Sequence, residues 1–203
     1  MKRLLCLFLA LLLLLPGCAA GRELTLSDAL GASEENAYTS PFGFVIDTEG
    51  LLVFSEDDLS SLNQLDSFTP EALQTRMDTG NAVSIFAAAS DEGASVNLSL
   101  YPAANLPESV QTPEEYAQYG LSVMPDKLTA AGYADFQVEQ VSVNLDGAEH
   151  PAILCSAKIT EDVPYYLLQI CFREDGWMAS LSLSSMESEE AMRQLLTRIT
   201  SPN

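Results

Sequence analysis

Three turn signals in the C-terminal part of the chain constrain the fold more than any other feature. Asp146-Gly147, Asp162-Val163-Pro164 and Asp175-Gly176 divide that part into four apolar-rich strands. Asp-Gly suits a two-residue hairpin, because Gly takes positive φ without a Cβ clash. Strands joined this tightly pair antiparallel, since a parallel return needs a long crossover. A four-stranded antiparallel meander is therefore predicted.

Side chains alternate across a strand, so the turns also predict which residues share a face. Asp175-Gly176 sets Phe172 opposite Ala179, Ile170 opposite Leu181 and Leu168 opposite Leu183, and these six form a core face. Cys171 then stands on the other face beside Ser180. Ile153, Cys155, Ala157 and Ile159 are assigned to the core side as neighbours of Ile170 and Leu168. Asp146-Gly147 sets Leu145 opposite Ala148, Val143 opposite His150 and Val141 opposite Ala152, while Val138 and Phe136 face Cys155 and Ala157. On this register Val141, Val143, Leu145 and His150 lie on the second face. They are either covered by a helix of the same domain or left as a surface for an envelope protein partner.

Upstream, Phe42, Phe44 and Ile46 alternate with other residues, and Leu51 to Phe54 follow Glu49-Gly50, which reads as a first hairpin. The acidic stretch Ser55 to Ser67 reads as loop with at most a helical turn. Thr69-Pro70 supplies an N-cap and a Pro at the first helical position, so a helix is expected from Pro70 to about Asp78. Val83 to Ala89 and Val96 to Leu100 alternate as strands. Thr112-Pro113-Glu114-Glu115 is a capping box that opens a second helix, with Tyr116, Tyr119, Val123 and Leu128 near helical spacing. Pro125 lacks an N–H donor, so this region is predicted as two short helices or one bent one, ended by Gly132. Ser188 caps a final helix with Met192, Leu195, Leu196 and Ile199 on one face. The result is an α+β domain over residues 37–203, an antiparallel sheet of about six to eight strands with helices packed on it.

The N-terminus runs Met1-Lys2-Arg3, apolar Leu4 to Leu15, then Pro16-Gly17-Cys18-Ala19-Ala20, the order of an export signal. The apolar run is short of the ~20 residues a membrane helix needs. Leu15, Gly17 and Cys18 resemble the lipobox of bacterial lipoproteins, with Pro16 a departure from the residue usual there. The resemblance implies a signal over residues 1–17, a diacylglycerol thioether on Cys18 and a tether over residues 18–36. It places the protein on the extracytoplasmic face of the cell membrane, with the membrane itself as a partner through the lipid. A cut after Ala20 would instead release a free secreted protein.

Nine basic residues face 29 acidic ones, for a formal charge of −20, and Lys2 and Arg3 leave with the signal. Such a surface repels phosphate backbones and anionic headgroups, which argues against nucleic acid as a partner. Cations or a basic protein surface suit it better, and the same charge keeps an exported protein soluble.

Chemistry-bearing residues are sparse. Of four Cys, Cys6 and Cys18 belong to the signal and the lipid site, and Cys155 and Cys171 remain. The register predicts two separate thiols, Cys155 in the core and Cys171 on the second face; a one-residue slip would pair them. His150 is the sole His and reads as an exposed turn residue, without the ligand cluster of a zinc site or the nucleophile elbow of a triad. The acidic pairs lack the alternating ligand spacing of a calcium loop. No catalytic residue, metal ligand or cofactor motif is therefore assigned. The expected role is non-catalytic binding or accessory work at the membrane; a carboxylate-dependent hydrolase and a small solute-binding lipoprotein are the alternatives. The chain is short for a two-lobed solute receptor.

The element order also resembles the PsbP-like family, named for an extrinsic protein of photosystem II. The residues concerned are Tyr38 to Ile46 as an opening strand, Thr112 to Tyr116 opening the middle helix, Trp177 to Leu183 as the closing strand, and the Ser188 to Ile199 helix. A Trp that such sequences place after the first turn is missing at Leu51-Leu52. The resemblance implies an α/β/α sandwich and almost no chemistry, because one fold hosts unrelated functions.

Overall fold

The computed structural model describes residues 25–145, 147–160 and 163–200. The signal and Cys18 lie outside the described residues, as do Asp146 and Asp162 of two predicted turns. In chain order the elements are α1 (Leu26–Ala29), β1 (Ala32–Glu34), β2 (Ala37–Ser40), β3 (Phe44–Asp47), β4 (Leu52–Val53), α2 (Glu56–Asn63), α3 (Pro70–Asp78), β5 (Val83–Ala89) and β6 (Ala94–Pro102). There follow α4 (Pro113–Ala130), β7 (Ala134–Leu145), β8 (Ala148–Thr160), β9 (Val163–Glu174), β10 (Trp177–Ser185), α5 (Glu189–Gln194) and β11 (Ile199–Thr200). They build a seven-stranded sheet, ordered β4-β5-β6-β10-β9-β8-β7, and a four-stranded sheet, ordered β1-β2-β3-β11. Every strand pair is antiparallel. The protein is an α+β domain of antiparallel sheets with helices packed on them.

Two of the meander's registers match the turn arithmetic. Phe172 pairs with Ala179, Ile170 with Leu181 and Leu168 with Leu183, across a turn in which Asp175 and Gly176 have φ of 37° and 88°. Positive φ at both central residues is what a type I′ hairpin demands. Val143 pairs with His150, Val141 with Ala152 and Val138 with Cys155, but a register shift between Ala134 and Gln137 interrupts the ladder at the expected Phe136–Ala157 pair.

The middle register differs, and one residue explains it. Thr160 pairs with Val163, but an irregularity between Lys158 and Thr160 absorbs a residue, so Lys158 pairs with Pro164 and Ala152, not Ile153, with Ile170. A one-residue bulge carries every side chain of the strand to the opposite face. Ile153, Cys155 and Ala157 therefore leave the expected core face and join Cys171 on the other. Ala152 and its neighbours Val141, Val143, Leu145 and His150 go the opposite way, onto the core side. The expected partner surface is corrected accordingly: Val143 is 7 % exposed within the main core, and Val141 and Leu145 pack against it.

That main core lies between the seven-stranded sheet and a layer made by the small sheet, α3 and α5. Leu98, Leu100, Leu168, Ile170, Leu181 and Leu183 line it from the large sheet. Tyr38, Phe44 and Ile46 come from the small sheet, Leu73 and Met77 from α3, and Met192 from α5. Phe44 meets Phe172 with ring centroids 5.0 Å apart, and Tyr38 stacks on Phe86 at 4.1 Å. Full burial of one such side chain stabilises the fold by roughly 1.5–3 kcal/mol.

The N-terminal region departs most from expectation. β3 pairs with β2 and β11, whereas β4 pairs with Ala88 and Ala89 of β5, so Glu49-Gly50 joins two sheets instead of closing a hairpin. The folded part also starts before Tyr38. Thr25 and Asp28 form a capping box on α1, β1 pairs with β2, and the Tyr38 hydroxyl donates to the Leu30 carbonyl at 2.8 Å. These contacts correct the tether expectation for residues 25–36. The acidic stretch after Phe54 contains α2, opened by a Ser55–Asp58 capping box. Its buried Asn63 exchanges two hydrogen bonds of 2.7 Å with the Ser84 backbone, which closes part of the β5 edge. α4 is one continuous helix despite Pro125, because Ala117 before the Pro and Leu128 after it are both buried on the sheet. The closing helix is shorter than expected, giving way to a 3-10 turn at Leu195–Arg198.

Candidate functional site

On the second face of the large sheet, α4 packs across β7, β8 and β9. Its start is firmly set: Thr112 accepts from the Glu115 amide at 3.2 Å, and Glu115 accepts from the amides of Gln111 and Thr112 at 2.7 and 2.9 Å. The Gln111 bond foremost holds the Glu115 carboxyl below the usual carboxylate range. From there Tyr116, Tyr119, Gly120, Val123, Met124, Lys127, Leu128 and Ala131 recur at helical spacing along one side of the helix, with Leu128 buried and Tyr119, Lys127 and Ala131 exposed at the rim. Ala117 packs with Ile153 and Cys171 near the helix start, and Leu128 with Cys155 and Ala157 near its end.

The helix does not seal against the strands. At Gly120 it comes so close that an added Cβ would stand 2.5 Å from the Ile153 Cδ1. Elsewhere a groove of ≈ 370 Å³ separates it from β8 and β9. The sheet contributes Ile153, Tyr165, Leu167, Gln169 and Cys171, and Tyr133 closes one side. Tyr133 and Tyr165 meet with centroids 5.2 Å apart. Apart from tyrosine hydroxyls and a thiol, the polar side chains of the lining are Lys127 and Gln169. Neither has a side-chain hydrogen bond or ion pair among the described residues. Of the other described cations, Lys158, Arg193 and Arg198 each stand within 4.0 Å of a carboxylate, whereas Arg76 and Arg173, like Lys127, do not. The groove walls thus offer apolar and aromatic surface with two available polar groups.

Burial decides the chemistry of the thiols. Cys171 is 1 % exposed, and its thiol is pushed up to about 12, chiefly by burial and secondarily by the charge of Glu114. Burial also raises the Cys155 thiol. Both stay protonated at neutral pH and are poor nucleophiles. They are free thiols, as expected, though on the same face. Cys155 pairs with Leu167, four places along β9 from Cys171, so they are separated by roughly 13 Å, beyond disulfide reach.

His150 stands on the opposite face, half-buried, not exposed, with its ring 4.9 Å from that of Phe172. Burial lowers its pKa and the adjacent Glu149 partly opposes the change. It borders a second cavity of ≈ 200 Å³ between the two sheets, with Phe42, Phe44, Leu145 and Ile199. The sheet therefore separates His150 from both thiols. The acidic runs have structural duties: Asp58 and Glu115 cap helices, Asp135 pairs with Lys158, and Glu149 accepts from Ser142 and Asn144.

The sequence places Tyr116, Tyr119, Val123 and Leu128 near helical spacing, which by itself assigns them no site. The signals that distinguish a groove were Gly120 and Lys127 within that same stripe. Gly lets backbone and strand approach, and Lys is rarely placed on a sealed face.

No family model matches the sequence, and no curated protein does. Among solved structures, the chain is similar to the solution structure of cyanobacterial PsbP (CyanoP) from Synechocystis sp. PCC 6803 at 10 % identity. The match covers 85 % of this chain and 96 % of that one, with a TM-score of 0.47.

Proposed function

We propose that this chain is a lipid-anchored extracytoplasmic binding protein that holds an apolar ligand in the groove between α4 and the sheet and performs no covalent chemistry on it. The carrying observation is the lining of the groove: four tyrosines and aliphatic side chains, no Asp, Glu or His, and a thiol kept protonated. Such a site suits retention, since mostly apolar clefts with a few placed polar groups are the usual form of small-molecule sites. The anchor rests on Leu15-Gly17-Cys18. No helix among the described residues is long and apolar enough to cross a membrane, so the lipid would supply the attachment.

Two measurements test the two halves of this reading. Protein purified from membranes of a lipidating host is expected to carry acyl label at Cys18, and Cys18→Ser is expected in the soluble fraction; a Cys18→Ser chain that stays membrane-bound defeats the anchor. Denaturing extraction of the native protein, followed by mass spectrometry, is expected to release an apolar molecule that Val123→Trp does not retain. Equal recovery from both chains would defeat the groove as the binding site.

A further inference from the structure

We propose that the groove's ligand is a free, single-chain alkanoate, an unbranched acyl chain ending in one carboxylate held by Lys127 and Gln169. This rests on the reading of the groove as a binding site and adds the class of ligand.

Shape argues for the chain. The helix side of the lining runs from Tyr116 to Ala131, which is ~22 Å at 1.5 Å per residue. The strand side runs from Tyr165 to Cys171, which is ~20 Å. The slot is thus long and is pinched where Gly120 meets Ile153. A flexible chain can follow such a path, and a broad rigid ring system cannot. Val123, Met124, Leu128, Ile153 and Leu167 supply a continuous aliphatic wall.

Charge argues for the head. In a chain with 29 acidic residues and nine basic ones, the exposed Lys127 is one of three described cations with no carboxylate partner, with Arg76 and Arg173, and of these it is the one that lines the groove. It sits beside the groove together with Gln169, whose amide is likewise unengaged. One ammonium balances one negative charge, and an amide N–H donates to a carboxylate oxygen. Lys127 is in the last turn of α4, where the helix carbonyls disfavour a multiply charged anion. A carboxylate meets that condition better than a phosphate. The protein's excess negative charge is screened beyond about 8 Å at physiological salt, so the local cation dominates at the head.

The test is a titration series on Cys18→Ser, free of its own acyl chains, and on the lipidated protein, using octanoate to tetradecanoate below their micelle concentrations. Affinity is expected to rise about fourfold per added methylene until the slot is full, the equivalent of about 0.8 kcal/mol for each buried CH2. Dodecanoate is expected to bind about fivefold more tightly than dodecanol, and Lys127→Gln is expected to remove that preference while leaving dodecanol unchanged. Affinity independent of chain length would overturn the acyl ligand. A Lys127→Gln protein that still prefers dodecanoate over dodecanol would overturn the assigned head. Lipidated protein that binds no dodecanoate while Cys18→Ser does would show that the protein's own acyl chain fills the slot, and would overturn the free ligand. The underlying reading fails separately, when Val123→Trp leaves the binding of every probe unchanged while its melt matches the parent.

Discussion

The two faces of the large sheet have been built to different densities. On one, Leu168, Ile170, Leu181 and Leu183 are fully buried beneath a small sheet and two helices. On the other, Ile153, Cys155 and Cys171 are buried against α4, but Leu167 and Gln169 lie half-buried where the helix stands off to leave ≈ 370 Å³. Protein interiors are normally close-packed, and forfeited contacts cost stability. The first face therefore carries the larger core, and the second combines two small buried clusters with an open groove. The bulge between Lys158 and Thr160 sets this division, because it decides which half of β8 belongs to which face.

The largest expected effect comes from charging the dense face. Val143→Asp puts a carboxylate into the main core and is expected to cost roughly 3–5 kcal/mol. Chemical denaturation would show it, and a melting temperature within a few degrees of the parent would mean that Val143 is not enclosed as described.

A matched pair of truncations sharpens the contrast. Leu181→Ala is expected to cost about 2–5 kcal/mol, the range for deleting a buried side chain. Leu167→Ala, lining the groove, is expected to cost under about 1 kcal/mol, since part of its surface already lacks protein contact. Equal losses in urea titrations would erase the distinction between the faces.

Next in size is the cap of the groove's roof. Thr112→Ala removes the acceptor for the Glu115 amide and is expected to cost about 1 kcal/mol. Hydrogen exchange is expected to speed up in the first turn of α4 and stay unchanged in β10. Faster exchange throughout the large sheet would contradict the view that α4 is a cover and not part of the main core.

The smallest effect concerns His150 between the two sheets. Its folded pKa lies below its ordinary value because burial disfavours the imidazolium. The unfolded chain then takes up its proton first, so stability is fully present above about pH 6.5 and declines as pH falls through the folded value. His150→Gln is expected to flatten that portion of a stability-against-pH curve. A slope unchanged by the substitution would assign the effect to other groups. The capping carboxylates Asp58 and Glu115, whose folded pKa values are also lowered, lose their contributions at more acid pH.

Much of the fold was legible because its signals are local. Asp175-Gly176 set the β9–β10 register, Thr69-Pro70 marked the start of α3, and Thr112 to Glu115 marked that of α4. What escaped depends on partners distant in sequence. Nothing near Lys158 announces the bulge, yet it reverses a face. The choice of β5 by Leu52-Val53 is a competition between edges, which alternation cannot decide. α2 was hidden in an acidic run, because its reason for folding includes Asn63 bonding to Ser84, 21 residues away. The candidate site was half visible. Its helical stripe could be read, but the stand-off away from the close Gly120–Ile153 contact depends on strands distant in sequence. Lys127 carried a second sign, since a cation among apolar positions suits a wet groove better than a dry interface.

The most direct test of the central claim, that the helix-covered face holds a preformed apolar site, is titration of native Cys18→Ser with an environment-sensitive apolar fluorophore beside the same titration of Val123→Trp. The expected result is saturable enhancement at one dye per chain for the parent, and none for a Val123→Trp protein whose melt matches it. No enhancement by the native parent, or equal enhancement by both chains, would contradict the claim.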